Sequence, residues 1–267
     1  MTTTNNAPVL CEIGESGIAR IRLNRPEAAN GLDVELLRAL NDAVLTCHGS
    51  RETKVVVLTG EGKNFCAGGD VKTFASKGDG LPDYLREATA WLQIATASLL
   101  RLRVPVITGI QGFAAGGGGL GLVCASDLVI AGRSAKIFSG AVRVGMAPDG
   151  GATVALAQMV GLRRAQQILL TNPTLSAQEA LDIGLITEVV DDDRLPGRLD
   201  ELATELASMA PLALAATKRL IWDGVGNPIE SRLGEEARVV SELSGTADSL
   251  EGLAAVIERR APRFTGS

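Results

Sequence analysis

The chain of 267 residues lacks the groups on which several common chemistries depend. It has one histidine, His48, and four cysteines, Cys11, Cys47, Cys66 and Cys124, none in C-x-x-C spacing. That excludes the ligand clusters that hold zinc, and no metal site is expected. Thiols without a disulfide framework fit a reducing compartment, so the expected location is cytoplasmic. Net charge is −5 with no basic run, which removes the cationic footprint that nucleic-acid binding needs. The opening MTTTNNAPVL has no basic region before an apolar core. It reads as a short irregular lead, not a signal peptide. Aromatics are only 3%, so the core must be aliphatic and small, which favours close backbone packing.

What the chain has is glycine, 31 residues, within a composition 46% hydrophobic. Val104–Ser126 is free of formal charge and long enough for a membrane span. It also holds Pro105, Gln111 and seven glycines, so a buried strand, a glycine-rich loop and a tightly packed helix explain it better. No membrane association is expected. The alternation in Gly17–Pro26 predicts a half-exposed strand. KVVVLTG, VPVITGI, DLVIAG, AKIFSG and GLITEVV predict further strands. LDVELLRALNDAVLTC predicts a helix with Asp33 near its start, and Asp70 is placed to cap the next. Ser176–Glu179 spells a capping box. After residue 200 the pattern turns helical: RLDELATELASMA, LALAATKRLIWDG behind Pro211, then ESRLGEEARVVSELSG. Short alternating units imply an α/β fold with largely parallel strands, residues 1–200 as the core and 201–267 as a helical appendage.

Two glycine loops carry the candidate chemistry, FCAGGD and GFAAGGGGLGL. The second contains G-x-G-x-x-G as Gly116, Gly118 and Gly121. A dinucleotide site needs an acid about twenty residues on, and Leu128–Pro148 has none. A different use fits better. A glycine turn before a helix leaves backbone N–H groups free, and two of them can hold one developing oxyanion, worth about 3–4 kcal/mol per donor. The competing reading is that these glycines only permit tight packing. Between Gly112 and Gly151 only Asp127 and Asp149 are acidic. Asp127 opens a predicted strand and reads as structural. Asp149, in MAPDGGA, suits a tight turn, yet its apolar neighbours would also raise its pKa and favour proton transfer. Cys66 has no base beside it, and Trp91 and Trp222 sit at apolar helical spacing.

Four segments, IRLNRPEAANGLD, VVVLTGEGKNFCAGGDVK, VPVITGIQGFAAGGGG and GMAPDGGATVALAQMVGLRRAQQILLTNPTLSAQEALDIGLITEVV, resemble the crotonase (enoyl-CoA hydratase/isomerase) superfamily. The resemblance implies a crotonase-like spiral of ββα units with a C-terminal helical trimerisation region, assembled as a homotrimer or dimer of trimers. It implies acyl-CoA thioester substrates and no cofactor beyond their CoA moiety. By matching position, the Gly69 and Gly118 amides would hold the thioester oxygen. Coenzyme A would lie along Glu27, Ala28 and Ala29 and along Ala67, Gly68, Gly69, Asp70 and Val71, with Gly117 beside it.

The departures matter. Hydratases of this family carry two glutamates, and the matching positions here look like Leu120-Gly121 and Ala141. The P-D-G-G stretch is similar to that of the isomerase branch, including ring-1,2-epoxyphenylacetyl-CoA isomerase, which uses the aspartate as acid and base. The expected activity is therefore an enoyl-CoA isomerase-type 1,3-proton shift through Asp149. The alternatives are an enoyl-CoA hydratase, a non-catalytic acyl-CoA binder, and an aryl-CoA dehalogenase. The last also uses a histidine and a tryptophan, where this chain shows Gln93 and Ala141.

Overall fold

The β-branched runs become strands buried on both faces, as a parallel sheet requires. A computed structural model of the chain describes residues 7–267. The strands are β1 (Val9–Ile13), β2 (Ile18–Leu23), β3 (Val55–Gly60), β4 (Val106–Ile110), β5 (Phe113–Ala115), β6 (Leu128–Gly132), β7 (Lys136–Phe138), β8 (Leu175–Ser176) and β9 (Glu188–Val190). A six-stranded sheet runs β1-β2-β3-β4-β6-β9, and a three-stranded sheet runs β5-β7-β8. Among the described residues only the β1–β2 and β7–β8 pairs are antiparallel. Val9 and Leu10, expected in an irregular lead, instead open β1 and pair with Leu23 and Arg22. Residues 1–6 of that lead lie outside the described residues.

The helices are α1 (Val34–Gly49), α2 (Val71–Ala75), α3 (Leu81–Arg101), α4 (Gly116–Cys124), α5 (Ala152–Val160), α6 (Leu162–Thr171), α7 (Ala177–Asp182), α8 (Leu195–Ala207), α9 (Pro211–Gly224), α10 (Glu230–Leu243) and α11 (Ala247–Glu258). Both predicted caps form, and Asp33, expected only as an acid near a helix start, caps α1 as well. Asp33 accepts from Leu36 N at 2.8 Å, Asp70 from Thr73 N at 3.1 Å, and Ser176 and Glu179 close a capping box. One face of the large sheet buries Leu36, Leu40, Leu92 and Leu99 of α1 and α3. The other packs Val57, Ile107 and Ile130 against Leu195, Leu199 and Ala203 of α8. The sequence boundary at residue 200 falls within α8.

Val104–Ser126 resolves into β4, β5 and α4, and no helix among the described residues is long and apolar enough to cross a membrane. One expectation changes here. QGFAAGGGG is not a loop: Phe113–Ala115 pairs with β7, and the four glycines form the first turn of α4.

The helical appendage is pinned to the core by a buried ion pair. Lys218 of α9 lies 2.7 Å from Asp127 Oδ2 and donates to the Leu99 and Val104 carbonyls at 3.1 Å each. Asp127 also accepts from Val106 N at 2.8 Å and Trp222 Nε1 at 3.2 Å. Its structural reading therefore holds. Burial pushes the Lys218 pKa down, and Asp127 works against that shift. Removing one partner leaves a buried charge uncompensated, which typically costs about 3–5 kcal/mol. Lys218→Met is expected to lower stability to denaturant by about that amount. A loss too small to measure would show that the pair does not anchor α9.

Candidate active site

The site is assembled from two backbone strips that run side by side. Ala67 N–H donates to the Ala29 carbonyl at 3.0 Å. Leu32 N–H donates to Gly68 O at 2.7 Å, and Asp70 N–H donates to Leu32 O at 3.1 Å. These two bonds straddle Gly69. In a ladder, successive N–H groups point to opposite sides, so the Gly69 N–H faces away from Leu32. It finds no acceptor among the described residues. Gly69 cannot be replaced cheaply, because a Cβ there would stand 2.5 Å from the Phe74 ring. Gly68, at φ +83°, lies against the start of α4, and its Cβ would sit 2.6 Å from Gly116 Cα.

The glycine turn of α4 contributes more main chain. The first N–H groups of a helix have no intrahelical acceptor, and no side chain caps these. A Cβ on Gly116 would approach Gly69 N to 3.4 Å, so the two glycine segments converge. One turn apart, Gly117 and Gly121 present a bare face to the 149–151 turn. A Cβ at Gly117 would overlap the Asp149 carboxylate and stand 2.7 Å from Asp149 N. One at Gly121 would stand 2.7 Å from Gly150 O. These glycines pack tightly and also leave amides free.

Asp149 is likewise both turn residue and acid. Gly150 and Gly151 follow it at φ +60° and +81°, and Ala152 N–H closes back on its carbonyl at 3.1 Å. Its side chain makes no ion pair among the described residues. Burial pushes its pKa up, and a hydrogen bond from its own backbone only partly opposes this.

These elements surround a pocket of about 620 Å³. Of the predicted site residues, Asp149, Gly69, Gly117, Gly118, Ala67 and Val71 line it. Ala28, Ala29, Gly68 and Asp70 lie beside it on the paired strips, and Glu27 is exposed. The sequence reading missed the apolar wall from α3: Leu81, Leu85, Ala88 and Leu92. Their i, i+4, i+7, i+11 spacing was the available signal. It also missed Arg143, which with Asp149 supplies the only ionisable side chains in the lining among the described residues. Arg143 donates to the Asn172 carbonyl at 2.7 Å and stands 5.7 Å from the Phe138 ring centre. Of the former glutamate positions, Ala141 lines the pocket, whereas Leu120 is fully buried outside it. Gln93 is exposed and outside the lining. The Cys66 thiol is pushed up to about 12 by complete burial and is inert. His48 contacts the Ser98 carbonyl at 3.0 Å, outside the pocket. No cluster of metal ligands occurs among the described residues.

A family model described as enoyl-CoA hydratase/isomerase matches residues 14–267. The chain belongs to that family. It is 38% identical to the "Probable enoyl-CoA hydratase" of Rhodobacter capsulatus over 255 residues, 96% of each chain. It is 34% identical to the 1,2-epoxyphenylacetyl-CoA isomerase of Escherichia coli, across 94% of this chain and 96% of that one. A crystal structure of an enoyl-CoA hydratase from Bacillus anthracis matches with a TM-score of 0.92 at 32% identity, covering 97% of this chain and 100% of that one. The crotonase fold is thus established, and the chain is an acyl-CoA enzyme of the enoyl-CoA hydratase/isomerase family.

Two stability experiments check the site's construction. Glycine to alanine in a helix normally stabilises by about 1 kcal/mol. Gly117→Ala is instead expected to destabilise by about 1–3 kcal/mol, because the methyl meets Asp149 backbone. A gain in melting temperature would contradict that close approach. The second concerns Asp149. A raised folded pKa means that its contribution is fully present below the unfolded value, about 4, and is lost as pH rises through the folded value. Asp149→Asn is therefore expected to melt higher than the parent at pH 7. Each kcal/mol regained is worth about 2–4 °C, and the gap should close as pH falls below about 4. A variant that melts lower at pH 7 would show that the carboxylate is not penalised by burial.

Proposed function

We propose that the chain is an enoyl-CoA isomerase that moves a double bond between C3 and C2 of an acyl thioester. The supporting observation is the lone carboxylate: among the described residues Asp149 is the one acid in a lining that is apolar apart from Thr89 and Arg143, and its pKa is raised by burial. The thioester oxygen takes hydrogen bonds from the Gly69 N–H and from the first turn of α4, at Gly118 beside Gly117. Asp149 removes a proton from C2. The charge passes to the oxygen as an enolate, and the same carboxyl returns the proton at C4. A single acid serves both transfers because both carbons lie on one face of the bound chain. The main-chain donors act where negative charge develops and need no reorganisation. The CoA moiety runs along Glu27, Ala28 and Ala29 and along Ala67–Val71, and the chemistry needs no further cofactor. A homotrimer or dimer of trimers would cover apolar side chains exposed on the C-terminal helices, among them Ile221, Ile229, Leu233 and Val256.

The name of the Rhodobacter relative favours hydration as the second reading. Against it, Ala141 and Leu120 offer no second carboxylate to orient and deprotonate a water. Supplying 3-enoyl-CoA and 2-enoyl-CoA separately, and following both isomers and 3-hydroxyacyl-CoA, separates the readings. The expected result is isomerisation that falls by about 10²–10⁴-fold in Asp149→Asn. Hydration that survives this substitution would install the hydratase reading. Binding of both thioesters without turnover would leave a non-catalytic acyl-CoA binder.

A further inference from the structure

The Gly69 amide is useful only if it is held still, and nothing in a five-residue α2 behind it supplies that rigidity. The neighbouring charge cluster does. Arg25 ends the run after β2, and its guanidinium is about one-fifth exposed. One terminal nitrogen, Nη1, donates to the Gly31 carbonyl at 2.7 Å and lies 2.8 Å from Asp33 Oδ2. The other, Nη2, lies 3.1 Å from Asp70 Oδ2. Each aspartate divides its two oxygens the same way. Asp33 gives Oδ1 to the Leu36 N–H at the start of α1, and Asp70 gives Oδ1 to the Thr73 N–H at the start of α2. Both carboxylates are more buried than the arginine, with side-chain exposures of 14% and 10%.

The geometry therefore points to Arg25 as the positioning residue of the oxyanion hole: its fork joins Gly31 and Asp33 on one strip to Asp70 on the other, and so fixes the Gly69 amide between them. Gly69 is bracketed on one side by Gly68, which accepts from Leu32, and on the other by Asp70, which Arg25 grips directly. Asn30, fully buried at φ +55°, ties the same strip to the Arg25 backbone, since its Oδ1 accepts from Arg25 N at 2.8 Å. The planar fork is what the task needs. A lysine carries the charge but cannot serve both carboxylates and the carbonyl in one fixed geometry. A small displacement at the reacting atoms is costly: about 1 Å can remove 10²-fold in rate.

This rests on the reading of Gly69 as a donor to the thioester oxygen, and the test separates the two. The probe is 4-dimethylaminocinnamoyl-CoA, a conjugated thioester whose absorption moves to longer wavelength when its carbonyl accepts hydrogen bonds. The parent protein is expected to shift the bound probe to the red. No shift in the parent would overturn the oxyanion reading itself, and with it the role of Arg25. With the parent shift present, Arg25→Lys and Arg25→Gln are expected to bind the probe with the shift largely lost. Their kcat on 3-enoyl-CoA should fall about 10²-fold while KM changes far less. Arg25→Lys is the deciding variant should Arg25→Gln fail to fold, because it retains a cation between the two aspartates. A folded Arg25→Lys that keeps the full red shift, or whose kcat matches the parent, would overturn the inference. The spectral readout needs no turnover, so it stands whatever part Asp149 plays.

Discussion

Main chain touches main chain in this site only because four glycines omit a side chain. Gly68 lies on Gly116, and Gly117 and Gly121 lie on the turn from Asp149 to Gly151. A Cβ at any of these points would stand within 2.7 Å of the facing main chain, so the α4 start would have to move away from the 67–70 strip or from the 149–151 turn. Close approach has two consequences. It brings free amides from separate segments to one wall of the pocket, and it seats a carboxylate against backbone without a cation to neutralise it. The rest of the fold holds these contacts in place: the parallel sheet beneath, the apolar wall of α3 across the pocket, and the clamp of Arg25 behind Gly69.

The acids of the chain divide by what faces them. Asp127 meets Lys218 and two N–H donors. Asp33 and Asp70 share Arg25, and each caps a helix. For Asp70, burial works to raise the pKa, but the Thr73 and Arg25 hydrogen bonds outweigh it and the group is held low. Such carboxylates build structure. Among the described residues Asp149 has no such cation, and burial outweighs the hydrogen bond from its own backbone, so its pKa is raised. An acid kept in an apolar pocket without compensation costs stability, and such a cost is retained where the group acts on a substrate.

Much of this was legible in the residues. The P-D-G-G stretch, the glycine runs and the absence of other acids between Gly112 and Gly151 singled out Asp149. The capping roles of Asp70 and Ser176 followed from local hydrogen-bonding rules and formed as expected, and Asp33, read as an acid near a helix start, proves to cap that helix. What escaped was what tertiary packing decides. GGGG reads as loop because glycine is a poor helix former, yet the neighbours of α4 demand a face without side chains, and that need overrides propensity. The α3 wall was passed over because its apolar spacing says which face is buried but not that a pocket opens there. Val9 and Leu10 follow a polar lead and join a strand only because β2 offers an edge. The Arg25 clamp spans residues 25, 33 and 70, a separation that no local pattern encodes.

The most direct measurement of the central claim, that Asp149 is the base acting on C2, is deuterium exchange from D₂O into C2 of a 3-enoyl-CoA. The parent is compared with Asp149→Asn, and the exchange is followed by mass spectrometry of the recovered thioester. Exchange catalysed by the parent and reduced by about 10²–10⁴-fold in the variant is the expected result. Exchange that proceeds in Asp149→Asn at the parent's rate would contradict it and would move the proton transfer to another group.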